Sequence, residues 1–176
     1  MNSETISIGI VLERREIDNP WETDAWTVVA VVPGARETDE WQLLEQGEDD
    51  DGMKWQRFHA ATLPLEIHRK DTEGYRYNLS NDPPSVYVIM LEDEESESGI
   101  EPFIATVCSY EAQAYLDGEV HQLEAVPMPA EIADWLFDFV KAHHVDEPFY
   151  KRKNKPHDPN KLGLGHRPPR DGDRVN

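Results

Sequence analysis

Trp26-Thr27-Val28-Val29-Ala30-Val31-Val32, closed by Pro33-Gly34, is apolar and β-branched almost throughout, and predicts a central strand. Upstream, Ile6, Ile8, Ile10 and Leu12 alternate with Ser7, Gly9, Val11 and Glu13, the period-two pattern of a half-buried strand. Asp18-Asn19-Pro20-Trp21 marks the turn between the two. Downstream, an extended stretch through Trp55, Arg57, Phe58 and His59 is interrupted by Pro64 before Leu65–His68. Tyr75–Leu79 alternates aromatic and polar residues, and Val86–Leu91 is a second buried run after Asn81-Asp82-Pro83-Pro84. Phe103–Cys108 is a third, and Val120–Val126 follows Asp117-Gly118 as a fourth. About seven strands joined by turn-rich or acidic connections predict an antiparallel barrel or sandwich over roughly residues 3–128.

Helices are few. Tyr110–Leu116 has room for two turns, with Ser109 as N-cap and Gly118 near its end. Ala130–His144 is the strong one, with Pro129 suited to its first turn. Ile132, Leu136, Phe139 and His143 recur at helical spacing, beside a second row of Ala133, Phe137, Val140 and His144. So wide an apolar arc, broadened by Trp135, predicts a helix that plugs the barrel mouth or lies across an open sheet. The expected fold is therefore α+β: predominantly antiparallel β, with a C-terminal packed helix and an extended tail. Residues 1–148 form the domain and 149–176 a basic, Pro/Gly-rich tail.

Charge divides the chain the same way. Of 176 residues, 38% are hydrophobic and 30% charged, with a net charge of −19, so the apolar residues must be concentrated to make a core. Residues 151–176 carry eight Lys/Arg against three Asp, while the first 150 carry 9 basic and 33 acidic side chains, a net −24. So acidic a body repels nucleic acid and anionic membrane, and neither is an expected partner. The tail, with Lys151, Arg152, Lys153, Lys155, Arg167 and Arg170, suits an acidic protein surface, its own or another's. Pro and Gly are 7 of the 26 residues 151–176, a composition that is flexible in isolation. The acidic runs 45–52 and 92–99 predict solvated, mobile loops, because each packed carboxylate would need a partner. Calcium is excluded at the first: with Gly52 in the glycine position of an EF-hand loop, Gly47 and Phe58 would stand where oxygen ligands are required.

No apolar run reaches the length of a membrane span, and the first 15 residues lack a basic stretch followed by an apolar run and cleavage site, so no secretory signal is expected. One cysteine excludes an internal disulfide framework and a Cys-rich metal site. A cytoplasmic protein is expected.

Candidate chemistry is thin. Cys108 ends an apolar strand just before a predicted helix N-terminus, where a thiol pKa can be depressed, yet free cysteine is also a common core residue. His143 and His144 sit about 100° apart on a helix and so do not chelate one ion, and histidine there complements the helix dipole without a metal. His59, His68 and His121 fall on different predicted strands. Glu13, Glu66, Asp71, Glu73 and Glu111 lie near element ends, but nothing selects a pair. Nucleophile-elbow, P-loop and dinucleotide motifs are absent. No catalytic residue, metal or cofactor is expected. Five tryptophans suffice to fill a small core and leave some for a surface, and Trp21 and Trp41, in turn-rich acidic contexts, are the candidates for partner contact.

One set of segments forms a pattern. It runs through Glu13-Arg14, Pro20-Trp21, Trp26–Gly34, Leu65–Arg69, Thr72–Leu79, Pro84–Val88 and Tyr110–Asp117. Val126–Pro129, His143–Phe149 and Lys151–Lys153 close it. Together these resemble the bacterial domain-of-unknown-function family thirty-three-oh-five, over roughly residues 5–155. Members of that family are typically encoded beside molybdenum- or tungsten-dependent formate dehydrogenases. The resemblance implies a non-catalytic accessory subunit, or an assembly and maturation factor, that binds such an enzyme. The alternative is a small enzyme or carrier that handles the molybdopterin cofactor through Cys108 or a histidine cluster. An automatic label of molybdopterin-guanine dinucleotide biosynthesis in the family does not fit, since nucleotide transfer needs a phosphate loop. The two acidic insertions and the tail depart from the usual pattern.

Overall fold

β1 (Ser3–Glu16), not the Val-rich run after it, is the centre of the first sheet. The computed structural model describes residues 2–118 and 121–146. β1, β2 (Asp24–Pro33), β3 (Gln42–Glu48) and β4 (Lys54–His68) make a four-stranded antiparallel sheet in the order β2-β1-β4-β3. The middle of β1 is covered on both faces, so every residue from Ile8 to Glu13 is buried. The expected half-buried alternation is thus lost. One reason is local: the chain beyond β2 returns over Gly9, where a Cβ would lie 2.8 Å from Ala35 Cβ.

The expected central strand Trp26–Val32 lies in β2, at the edge of this sheet. Its apolar character has another cause: its outer side faces a second sheet. β5 (Ser85–Glu92), β6 (Ile100–Thr106) and β7 (His121–Pro127) form a three-stranded antiparallel sheet in the order β6-β5-β7. The sheets approach where β4 meets β6 and where β2 meets β7. At the second seam Val28 N–H donates to Glu124 Oε2 (3.0 Å), so a carboxylate caps an edge amide in place of a strand. Burial holds the Glu124 carboxyl above its usual range, against the Val28 N–H, which favours the charged form. The two sheets do not join into a closed barrel; the arrangement is sandwich-like.

Three local expectations are corrected. β4 runs through Pro64 without a break, opposite Ser7 of β1. β3 pairs with β4 only as far as His59, so at Pro64 one side of β4 is open and a missing N–H breaks no ladder there. Tyr75–Leu79 is the end of a helix, α1 (Thr72–Leu79), after a 3-10 turn over Arg69–Asp71. Its buried residues Thr72, Tyr75 and Asn78 recur at helical spacing while Tyr77 is exposed, so the aromatic alternation carried no strand. Asn78, fully buried, donates to Ser85 O and Val107 O and accepts from Ser85 N–H, tying α1 to β5 and to the residue after β6. Finally, the acidic run 45–52 is not all loop: Glu45–Glu48 lies in β3, and only the turn beyond it remains. The run 92–99 is a turn-rich connection between β5 and β6, closed by Asp93 N–H to Gly99 O (2.9 Å).

α2 (Ser109–Leu116) starts one residue earlier than expected, so Cys108 rather than Ser109 is its N-cap. α3 (Ala130–His143) buries Ile132, Leu136, Phe139 and Val140 in a single core with Ile8, Ile10, Leu65 and Val88 of the sheets. Phe137, assigned to the second apolar row, is exposed. Trp135 packs against the core and donates its indole N–H to Glu4 Oε2 (2.7 Å). Among the described residues no helix is long and apolar enough to cross a membrane. The compact unit that holds all these elements ends at Val145; of the second unit, 146–176, only Asp146 is described.

Candidate partner-binding surface

At one end of the four-stranded sheet the hairpins β1–β2 and β3–β4 lie side by side, and cross-strand register sets an ion-pair network there. Glu13 of β1 faces Arg57 of β4, which faces Glu45 of β3. Glu13 is 6% exposed and accepts from Arg15 Nε and Arg57 Nε, both at 2.9 Å. Each arginine uses a second nitrogen on an outer carboxylate, Arg15 on Asp49 and Arg57 on Glu45, both at 3.2 Å. Burial alone would push the Glu13 carboxyl up, but the hydrogen bonds from Arg57 and Arg15 outweigh it and hold the carboxyl below the usual range. Arg14, on the other face of β1, bridges Asp24 (2.8 Å) and Glu97 (3.2 Å), and so joins β2 to the connection between β5 and β6.

Aromatic rings gather over the same end. Trp26, Trp41 and Phe58 form a mutual cluster with centroids 5.6–5.9 Å apart, and the Arg14 guanidinium lies 5.7 Å from the Trp26 ring. Arg57 lies over Trp55 at 4.8 Å. Trp41, a candidate contact residue, is thus partly engaged within the fold, though 40% exposed. Trp21 is different. Its backbone N–H is taken by Asn19 Oδ1 (2.9 Å) in the turn between β1 and β2, and its side chain stands 90% exposed. It borders a cleft of about 590 Å³ walled by Glu22, Asp24 and Trp26 on one side and by Ser96–Gly99 on the other.

The other candidates lie elsewhere. Cys108 is buried at the start of α2; its N–H donates to Thr106 Oγ1 (3.1 Å), and Thr106 Oγ1 donates to Glu111 Oε2 (2.6 Å). Burial pushes its thiol pKa up, opposite to what a nucleophile needs. His68, Asp71, Glu73, Tyr110 and Glu111 line a pocket of about 450 Å³ beside it. His144 Nδ1 meets Thr72 Oγ1 at 2.9 Å and its Nε2 meets Arg76 at 2.6 Å, whereas His143 packs on Phe139 with ring centroids 4.5 Å apart. The two histidines therefore have separate surroundings. His59 contacts Thr62 (3.0 Å), His68 contacts Glu66 (3.4 Å), and His121 lies in the other sheet. Among the described residues no group of three or more His, Cys, Asp or Glu is placed to hold a metal. Lys151, Arg152, Lys153, Lys155, Arg167 and Arg170 lie outside the described residues.

The sequence offered Glu13 only as one of several carboxylates. Its partner Arg57 is 44 positions away, and only the β1–β4 register brings them together. Leu43 and Leu44, both exposed on β3, carry no strand signal of their own, because the rest of that strand is polar and acidic.

These features define a sandwich-like antiparallel α+β domain whose surface chemistry is ion-paired and aromatic. The chain belongs to the family of proteins of unknown function DUF3305, whose model matches residues 7–153. No curated protein and no solved structure shows significant similarity to it.

Proposed function

We propose that this protein is a non-catalytic accessory subunit or assembly factor that binds a molybdenum- or tungsten-dependent formate dehydrogenase. The family resemblance supplies the enzyme. The observation that carries a binding role is Trp21, a whole indole held in solvent by a turn, beside a cleft with charged walls. Exposed tryptophan is the residue type most enriched among energetically dominant interface contacts. The alternative, a molybdopterin-handling enzyme or carrier, is disfavoured by the burial and raised pKa of Cys108 and by the separate settings of the histidines.

The test is capture by the tagged full chain from its native host, followed by size exclusion and metal analysis. Co-elution with metal-loaded, active dehydrogenase makes the chain a subunit; capture of the metal-free catalytic polypeptide alone makes it an assembly factor. Trp21→Ala is expected to weaken either complex by about tenfold or more. Recovery without any dehydrogenase polypeptide overturns the proposal.

A further inference from the structure

Among the described residues, the outer edge of β3 has no strand or helix packed along it. β2 has β7 and the Glu124 carboxylate along its outer side, β6 lies against β4, and β7 has β2 and α2 beside it. β3 has β4 as its sole hydrogen-bonded neighbour and its one substantial contact among the described residues. An open edge presents unpaired N–H and C=O groups, a template for another strand. This one also presents apolar side chains: Leu43 is 49% and Leu44 54% exposed. Leu44 sits at a shift in the β3–β4 register, between Leu43 and Glu45, and both neighbouring leucines are open to solvent.

The charge around that edge selects its occupant. Between residues 37 and 53 the chain has eight Asp or Glu and no Lys or Arg. Only Glu45 and Asp49 among these have an arginine partner, and each at 3.2 Å. Two copies of this edge would bring like charges together, so pairing of β3 with a second β3 is opposed. A strand with cations on alternate residues meets no such barrier and gains the whole field. We infer that β3 is a docking edge for an extended basic segment of a partner protein, which adds a strand to the four-stranded sheet and covers Leu43 and Leu44. This inference rests on the binding role proposed above and locates the contact.

The test uses the full chain and the variant L43K/L44K, whose substituted side chains are exposed and whose fold is checked by circular dichroism. The probe is a short synthetic peptide alternating Val and Lys, alongside the same peptide with every backbone amide N-methylated. Their charge is equal, but only the first can donate backbone N–H groups to the edge of β3. The expected result is slowed amide exchange over residues 42–48 with the unmethylated probe, and binding about tenfold weaker for the methylated probe and for L43K/L44K. Equal binding of the two probes, or protection elsewhere, overturns the inference, as does a concentration-dependent dimer of this chain that L43K/L44K abolishes. The dehydrogenase capture separates the two claims. If L43K/L44K captures the enzyme as well as the native chain does, the edge is not the contact but the accessory role stands. If the native chain captures no dehydrogenase while the probe results hold, the edge stands and the accessory role falls.

Discussion

Glu13 shows how one side chain gains a role from its partners. A carboxylate this buried would destabilise the sheet if left alone; Arg15 on its own strand and Arg57 on β4 each donate an Nε–H to it, and the second makes it a cross-strand tie. The arginines remain 38–39% exposed, so solvent weakens the pair relative to a fully buried one. Glu13→Gln is expected to cost about 1–3 kcal/mol at pH 7, read as a lower urea midpoint. The pH dependence follows from a folded-state pKa below the ordinary 4.5. Glu13 contributes its stability above that ordinary value and loses it as pH falls through the folded value, so the gap between native chain and variant should close in acid. A gap that persists unchanged at pH 3 would assign the loss to packing. Glu13 and Arg15 share a face of one strand by its period of two, but Arg57 joins them only through the β1–β4 register, which no local pattern encodes.

Between elements, α1 fits tightly against the start of α2. A Cβ on Gly74 would stand 2.6 Å from Cys108 Sγ and 3.3 Å from the Tyr110 ring, so the two helices approach at a residue without a side chain. Gly74→Ala should destabilise by about 1–3 kcal/mol through overpacking, despite alanine's better helix propensity. Cys108→Ala should cost less in the Gly74→Ala background than in the native one, because it vacates the space the new methyl needs. A double-mutant cycle in urea reads that coupling; simple additivity would mean the sulfur is not what the methyl meets. The sequence was informative at this scale where an element carried its own period. The long α3 pattern and the buried run of β5 were found within a residue or two, since each is dictated by one continuous apolar signal. It misled where the surroundings decide. β2 looked central because a second sheet covers its edge, α1 looked extended because its aromatic residues happen to alternate, and β3 looked like a loop because its burial is slight.

Over the whole molecule, charge is the dominant quantity. A net −19 on 176 residues acts against compaction, while the arginine ties act for it, and added salt screens both. With 36 acidic side chains against 17 basic ones, repulsion should prevail. The thermal midpoint is expected to rise by at least about 2 °C on moving from low to physiological ionic strength. A fall would show that networks such as Glu13–Arg57 outweigh the excess. The split of acidic and basic residues was plain from the sequence, but not the way carboxylates cluster beside an open edge, which depends on where β3 falls in the sheet. The aromatic cluster offers a direct optical window on that region. Trp26 and Trp41 stand 5.6 Å apart with ring planes at 69°, close enough for their electronic transitions to mix and too far from parallel for the mixing to cancel. Such a pair gives a circular-dichroism band with one positive and one negative lobe, which Trp41→Phe should abolish. Trp41 immediately precedes β3, so this couplet reports, without any label, how the strand is seated when something comes to lie beside it.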